Sequence, residues 1–200
     1  YKRQTYTNNT QGGASTCPWV WTLDGTWGYW NGNNGASPNY NLASTTAANG
    51  YAMIDSDFYG GATGGTEIED CWLTMANPVD LNGYPYVVVE FEAQYRSYNA
   101  EQTYIVVGVG DGAGNVTWPT DLTPDYDEST NPNVYAAMPA NVDNPTPNPL
   151  TVQIDISGAA GGQSEVYIRF NWTGTWGYAW FLDDFKILEQ PESDVLLSSC

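Results

Sequence analysis

Asp183 and Asp184 sit side by side in residues 178–188, YAWFLDDFKIL, an apolar run with the character of a strand. Neighbours on a strand point to opposite faces, so one of the two acids is expected to face inward. A buried carboxylate without a partner is costly, and it needs a cation or several donors. The chain holds only 5 Lys and Arg against 23 acids, so a bound metal ion is the expected partner. A second acidic pair, Asp55 and Asp57 in GYAMIDSDFYG, alternates in the manner of an oxygen-ligand loop. There is no His. Any metal is then oxygen-bound, which favours Ca²⁺ over Zn²⁺.

The lack of His also removes Ser/His and Cys/His nucleophile pairs, leaving carboxylates as the basis for any catalysis. Glu90 and Glu92 share a strand face, and Glu69 and Asp70 lie beside Cys71. Glycoside cleavage asks for carboxyls about 5 Å or about 6.5–9.5 Å apart across a cleft. Residues two apart on a strand meet the shorter distance, as they do on almost any acidic sheet, so solvated acids are the expected reading. The aromatics Trp27, Tyr29, Trp30, Trp176 and Tyr178 suggest a different chemistry. They form either a platform on which sugar rings stack or a plug closing one end of the fold.

The elements that must position these groups are strands. Residues 86–96, YVVVEFEAQYR, alternate Val87, Val89 and Phe91 with Val88, Glu90 and Glu92. Residues 51–54, 104–109, 150–156 and 165–172 read as further strands, separated by Gly, Pro and Asn turns. No stretch keeps a helical period over three turns. The expected fold is an all-β sandwich of two antiparallel sheets. Residues 1–16 read as an N-terminal arm, 17–189 as a single domain with a long loop at 117–149, and 190–200 as a linker or cut tail. The phrase Gly-Thr-Trp-Gly-Tyr occurs twice, at 25–29 and 174–178, as two similar aromatic turns.

With 42% hydrophobic and 14% aromatic residues the chain is expected to fold, despite 21 Gly and 12 Pro. A net charge of −18 repels nucleic acid and anionic membrane, which are set aside as partners. Arg96 and Arg169 are scarce enough to be expected in pairs with acids. Of the three cysteines, Cys17 and Cys71 are the expected disulfide, since aromatic-rich segments follow both and Cys200 ends a polar tail. Three Asn-X-Thr triplets begin at Asn8, Asn115 and Asn171. No run reaches the length of a membrane helix. The first residue is Tyr, so a processed or excised chain is expected, one from which an export signal could have been removed.

Four phrases taken in order, NGYAMIDSD, DCWLTMANPVDLNGYPYVVVEFEAQYR, LTVQIDISGAAGGQSEVYIRF and YAWFLDDFKI, resemble the cleaved-adhesin and choice-of-anchor J modules of bacterial surface proteins. These are jelly rolls related to MAM-type domains. The resemblance spans residues 17–189. It implies a secreted or surface-displayed jelly-roll β-sandwich held by structural Ca²⁺, used for adhesion to a glycan or protein within a larger assembly. The family's Ca²⁺ acids fall on Asp55, Asp57 and Asp183, with Asp24 a further candidate where this chain has only DGT. The rivals are a carboxylate-dependent glycoside hydrolase domain and a structural subunit of a surface assembly.

Overall fold

The computed structural model describes residues 17–28, 40–59, 69–98, 101–119, 131–139, 144–174 and 177–190, and the backbone of 6–10 and 60–63. Two antiparallel sheets pack face to face. One runs in the order β1 (Tyr6–Thr10), β4 (Glu69–Met75), β10 (Val166–Gly174), β6 (Gln102–Gly110), β7 (Val116–Thr117), with β8 (Val134–Ala136) also paired to β6. The other runs β2 (Val20–Thr22), β3 (Tyr51–Asp55), β11 (Ala179–Glu189), β5 (Val87–Arg96), β9 (Leu150–Asp155). This is the expected jelly-roll sandwich. The long loop at 117–149 contributes β8 to the edge of the first sheet.

Alternation decides the core. Along β5, Val87, Val89, Phe91, Ala93 and Tyr95 face the opposing sheet and are at most 1% exposed. From the other sheet come Ile105, Val107, Ile168, Phe170 and Trp172, all equally buried. Phe91 and Trp180 meet Phe170 edge-on, with ring centroids 5.3 and 6.0 Å away. Edge-to-face stacking of this kind adds about 0.5–1.5 kcal/mol per pair beyond burial.

Two local features depart from the sequence reading. The segment around Asp55 and Asp57, expected as an oxygen-ligand loop, instead leads into helix α1 (Ser56–Thr63). Its start is fixed by Asp55, whose Oδ1 accepts the Phe58 N–H at 3.2 Å, an N-cap three residues ahead. At two turns the helix is too short to show a period.

The second departure lies in β11. Asp183 pairs with Glu92 and Lys186 with Glu90, three steps on one strand against two on the other. The extra residue is a β-bulge, and Asp184 carries the turn with φ 51°. Strict alternation would have sent Asp184 inward. The bulge instead lets both acids meet one segment, and Phe185 takes the inward place against Phe170 at 5.3 Å.

That segment, residues 40–49, straps the outer face of the five-stranded sheet. Leu42 packs beneath it with Tyr51, Met53, Ala179 and Phe181. Ser44 Oγ donates to Asp183 at 2.6 Å, and the Thr46 N–H to Asp184 at 3.0 Å. The Thr46 hydroxyl lies 3.2 and 3.0 Å from oxygens of Asp183 and Asp184. Thr45 donates to Glu92 through both N–H and hydroxyl, each at 2.6 Å.

Cys17 and Cys71, expected as a disulfide, lie together in the core as free thiols. The Cys71 thiol donates to the Cys17 carbonyl at 2.6 Å. The hydrogen bond with Cys71, then burial, push the Cys17 thiol far above its ordinary value. Of the Asn-X-Thr triplets, Asn171 is fully buried within β10, whereas Asn115 is exposed in a turn.

Candidate functional site

Ala179 is the cross-strand partner of both Asp55 and Arg96, so the ends of β3, β11 and β5 lie in one row. Just beyond that row the chain delivers Phe58, Tyr178 and Tyr98. The loop after β2 adds Trp27. Two aromatic pairs result. Trp27 and Phe58 meet edge-on with centroids 5.5 Å apart, and they are 36% and 45% exposed. Tyr98 and Tyr178 meet edge-on at 5.3 Å, with Tyr98 47% exposed. The Arg96 guanidinium lies 3.9 Å over the Tyr178 ring, a cation–π contact. The pairs are joined through the backbone, since the Asp57 N–H donates to the Tyr178 carbonyl at 3.2 Å.

Beneath this platform stand carboxylates. Asp55 is 1% exposed, and its Oδ2 accepts the N–H groups of Trp27 and Gly28 at 2.6 and 3.0 Å. With Phe58 on Oδ1, one side chain holds the backbone of both members of the first pair. Burial pushes the Asp55 carboxyl up to about 6, a rise that these three N–H donors oppose. Residue 28 has to be Gly: a Cβ there would stand 2.6 Å from the Phe58 nitrogen and 2.8 Å from Asp55 Oδ1.

Glu101, 4% exposed, accepts the Tyr98 N–H. It also fills the space against Gly177, where a Cβ would lie 2.7 Å from Glu101 Oε1. The Gly177 N–H donates to Ser56 Oγ at 2.7 Å. The repeated phrase thus has a structural meaning. Gly28 in the first copy bonds to Asp55 and Gly177 in the second to Ser56, adjacent residues at one strand end. Deeper still, Glu69 accepts the Trp172 indole N–H at 2.7 Å, and burial raises its carboxyl above the usual range.

Of the aromatics read from the sequence, Trp27 and Tyr178 are on the platform. Tyr29, Trp30 and Trp176 lie outside the described residues. Phe58 and Tyr98 were missed. Their sequence signals were their places directly after IDSD and after Arg96. Arg169 is held between Trp72 and Trp118, 4.5 and 3.7 Å from the ring centres, with the charge of Asp70 acting on its guanidinium. Its Nε donates to Thr74 at 3.0 Å. Burial lowers the Arg169 guanidinium to about 10.

The expected Ca²⁺ ligands do not assemble. Leu182 pairs with Ala52 and Ala179 with Asp55, so Asp183 lies four residues along β11 from Asp55's level. At a rise of about 3.3 Å per residue that is roughly 13 Å. Asp57 does approach Gly28 beside Asp55, but Asp55 spends both oxygens on N–H donors and Asp183 is engaged by the strap. Asp24 is exposed, and its N–H bonds to Thr22. Among the described residues, no group of three or more acidic or thiol side chains is placed to hold a metal ion. The proposed set does not fit a hard cation needing six to eight oxygens.

The hydrolytic carboxylates are likewise engaged separately. Glu90 accepts from Gln153 at 2.7 Å and pairs with Lys186 at 3.0 Å, and Glu92 holds Thr45. Asp70 faces Asn171.

No protein-family model matches the chain, and no curated protein matches it. Among solved structures the chain is similar to the enzymatically active domain of tailspike protein 4 of bacteriophage CBA120. That match has a TM-score of 0.47 and 10% identity, and it covers 91% of this chain but only 19% of the other. A second is TmCBM61 in complex with β-1,4-galactotriose (TM-score 0.39, 12% identity, 92% of this chain and 88% of the other). A third is the K1 cleaved adhesin domain of Lys-gingipain from Porphyromonas gingivalis W83 (TM-score 0.38, 15% identity, 93% and 99%). Galactotriose is the ligand of TmCBM61. What this chain binds has to follow from its own residues.

Proposed function

We propose that this domain is a non-catalytic extracellular binding module whose ligand, an uncharged glycan, lies across Trp27, Phe58, Tyr178 and Tyr98. The observation that carries this reading is the pair of exposed aromatic contacts set side by side on a polar, hydrogen-bonded base. Flat aromatic faces stack on the apolar faces of sugar rings, and polar neighbours fix the hydroxyls. Trp27 and Tyr98 keep about a third to a half of their surface in water, which a plug at the end of a sandwich would not do. Charge narrows the class, because a body at −18 repels uronic or sialic acids. The engaged state of Glu90, Glu92, Glu69 and Asp70 supports binding over hydrolysis. Resemblance of the four sequence phrases to secreted adhesin modules supports an extracellular setting within a larger protein.

The test is a binding panel of neutral galacto-, xylo- and manno-oligosaccharides beside acidic glycans, read by calorimetry. Retention of a neutral oligosaccharide, weakened about tenfold or more by Trp27→Ala, supports the reading. Retention of acidic glycans only, or a wild-type affinity in Trp27→Ala, overturns it. Release of reducing sugar would make the domain an enzyme.

A further inference from the structure

Side chains that are a third to a half exposed are oriented weakly by packing, so the platform's geometry has to come from its backbone. Trp27, Gly28 and Phe58 all give their N–H groups to Asp55. Tyr98 gives its N–H to Glu101, and the approach to Tyr178 is shaped by Gly177 against the same carboxylate. The two acids serve different halves and share none of these partners. We infer that Asp55 and Glu101 are positioning residues of the binding site, Asp55 for Trp27–Phe58 and Glu101 for Tyr98–Tyr178. The inference rests on the platform being the ligand site.

A carboxylate suits the task because it is acceptor-only, with two oxygens and about four lone-pair directions. Asp55 uses both oxygens on three donors in two separate segments. An amide of the same shape keeps one oxygen and turns an NH₂ group toward an N–H that needs an acceptor. Glu101 gives Oε1 to the Tyr98 N–H with Gly177 against the same oxygen, so an amide there keeps the contact in only one of its two orientations. Both acids are almost wholly buried, so they reach the ligand only through the residues they hold. Loosening them lowers affinity by letting the rings sample orientations that a bound sugar must then restrict.

Two measurements test this, using Asp55→Asn and Glu101→Gln. In ligand-free protein, amide hydrogen exchange is read residue by residue. Glu101→Gln should accelerate exchange at Tyr98 at least tenfold while leaving Trp27, Gly28 and Phe58 unchanged. Asp55→Asn should give the reverse pattern. Uniform acceleration in either variant, or none, overturns the assignment. The second measurement is a double-mutant cycle on binding of mannohexaose, or of whichever neutral oligosaccharide the panel retains. Glu101→Gln should cost about tenfold in the wild-type and Trp27→Ala backgrounds and almost nothing in Tyr98→Ala. Equal losses in all three backgrounds overturn it, because a purely structural carboxylate is indifferent to which ring is missing. If no glycan is retained the glycan reading falls by itself, and the exchange pattern still decides what the carboxylates hold in place.

Discussion

Asp183 stands directly across from Glu92 in the β11–β5 ladder, two like charges opposed on one face of a sheet. Such a pair is destabilising unless donors intervene. Here the donors are Ser44, Thr45 and Thr46 of the strap. The acids that suggested a metal ion are therefore reconciled by three consecutive polar residues of the chain itself. Replacing Thr46 by Val removes a hydroxyl within reach of both Asp183 and Asp184, and should cost about 1–3 kcal/mol of stability. Thr46→Ser should retain most of it. Chemical denaturation of the two variants reads the difference, and equal stabilities would show that the Thr46 hydroxyl adds nothing to the strap's hold on the two acids.

Chelation tests the same point from the other side. Asp55 and Asp183 are separated along β3 and β11, so EDTA should leave the thermal midpoint within about 1 °C of its value in added Ca²⁺. A drop of several degrees would show that a tightly held ion stabilises the fold and would contradict this.

The buried Asp55 gives the pH dependence its sign. Its carboxyl is at about 6 in the fold against 3.8 as the reference for an unfolded chain. Between those values the native state binds the proton more tightly, so stability rises as pH falls through about 6 and levels off below about 4. The full effect is on the order of 2–3 kcal/mol. Glu69, also raised by burial, acts in the same direction. Denaturant melts at pH 7.5 and pH 5 should show the more acidic sample to be the more stable, with a smaller difference in Asp55→Asn. A fold that weakens steadily from pH 7.5 to 5 would contradict this.

Gly28→Ala places a methyl group against the Phe58 nitrogen and Asp55. The backbone of one segment has to shift, so glycan affinity should fall about tenfold or more. Gly83→Ala is the control for a general glycine effect: its Cβ would meet nothing, although its positive φ makes it cost a little stability. A Gly28→Ala variant that binds like wild type would place the ligand elsewhere.

Cys17 and Cys71 lie together in the core, the Cys71 thiol donating to the Cys17 carbonyl at 2.6 Å. On refolding with a low-molecular-weight disulfide as oxidant, they should close to a bridge, each new bond reducing one oxidant disulfide to two thiols. A non-reduced digest should contain a peptide linking residues 17 and 71. Its absence, with both thiols alkylated, would make the pair a plain part of the core.

The sandwich was legible because β5, β9 and the first half of β10 follow the period of two, β6 is a short apolar run bounded by turns, and their boundaries moved by only a residue or two. The site was legible in part. Trp27 and Tyr178 announce themselves by type, but Phe58 and Tyr98 gain their meaning only when β3 and β5 end on either side of β11. Reasoning on Asp183 and Asp184 failed at one assumption, strict alternation. A bulge cancels it, and no local residue pattern marks the bulge. Asp55 was read as a calcium ligand, whereas the folded chain buries it among donors of its own. Its partners are backbone N–H groups from a segment 27 residues earlier, a pairing that only the folded chain reveals.

Among the described strands β11 is the last in sequence, yet it occupies the middle of its sheet, between β3 and β5. A nascent chain that has not yet released residues 179–189 from the ribosome has no way to join the two halves of that layer. Phe58 and Tyr98 stay apart until translation of this region is complete. If the platform is the ligand site, a fragment ending before Ala179 should be inert however much of the remaining sheet it builds.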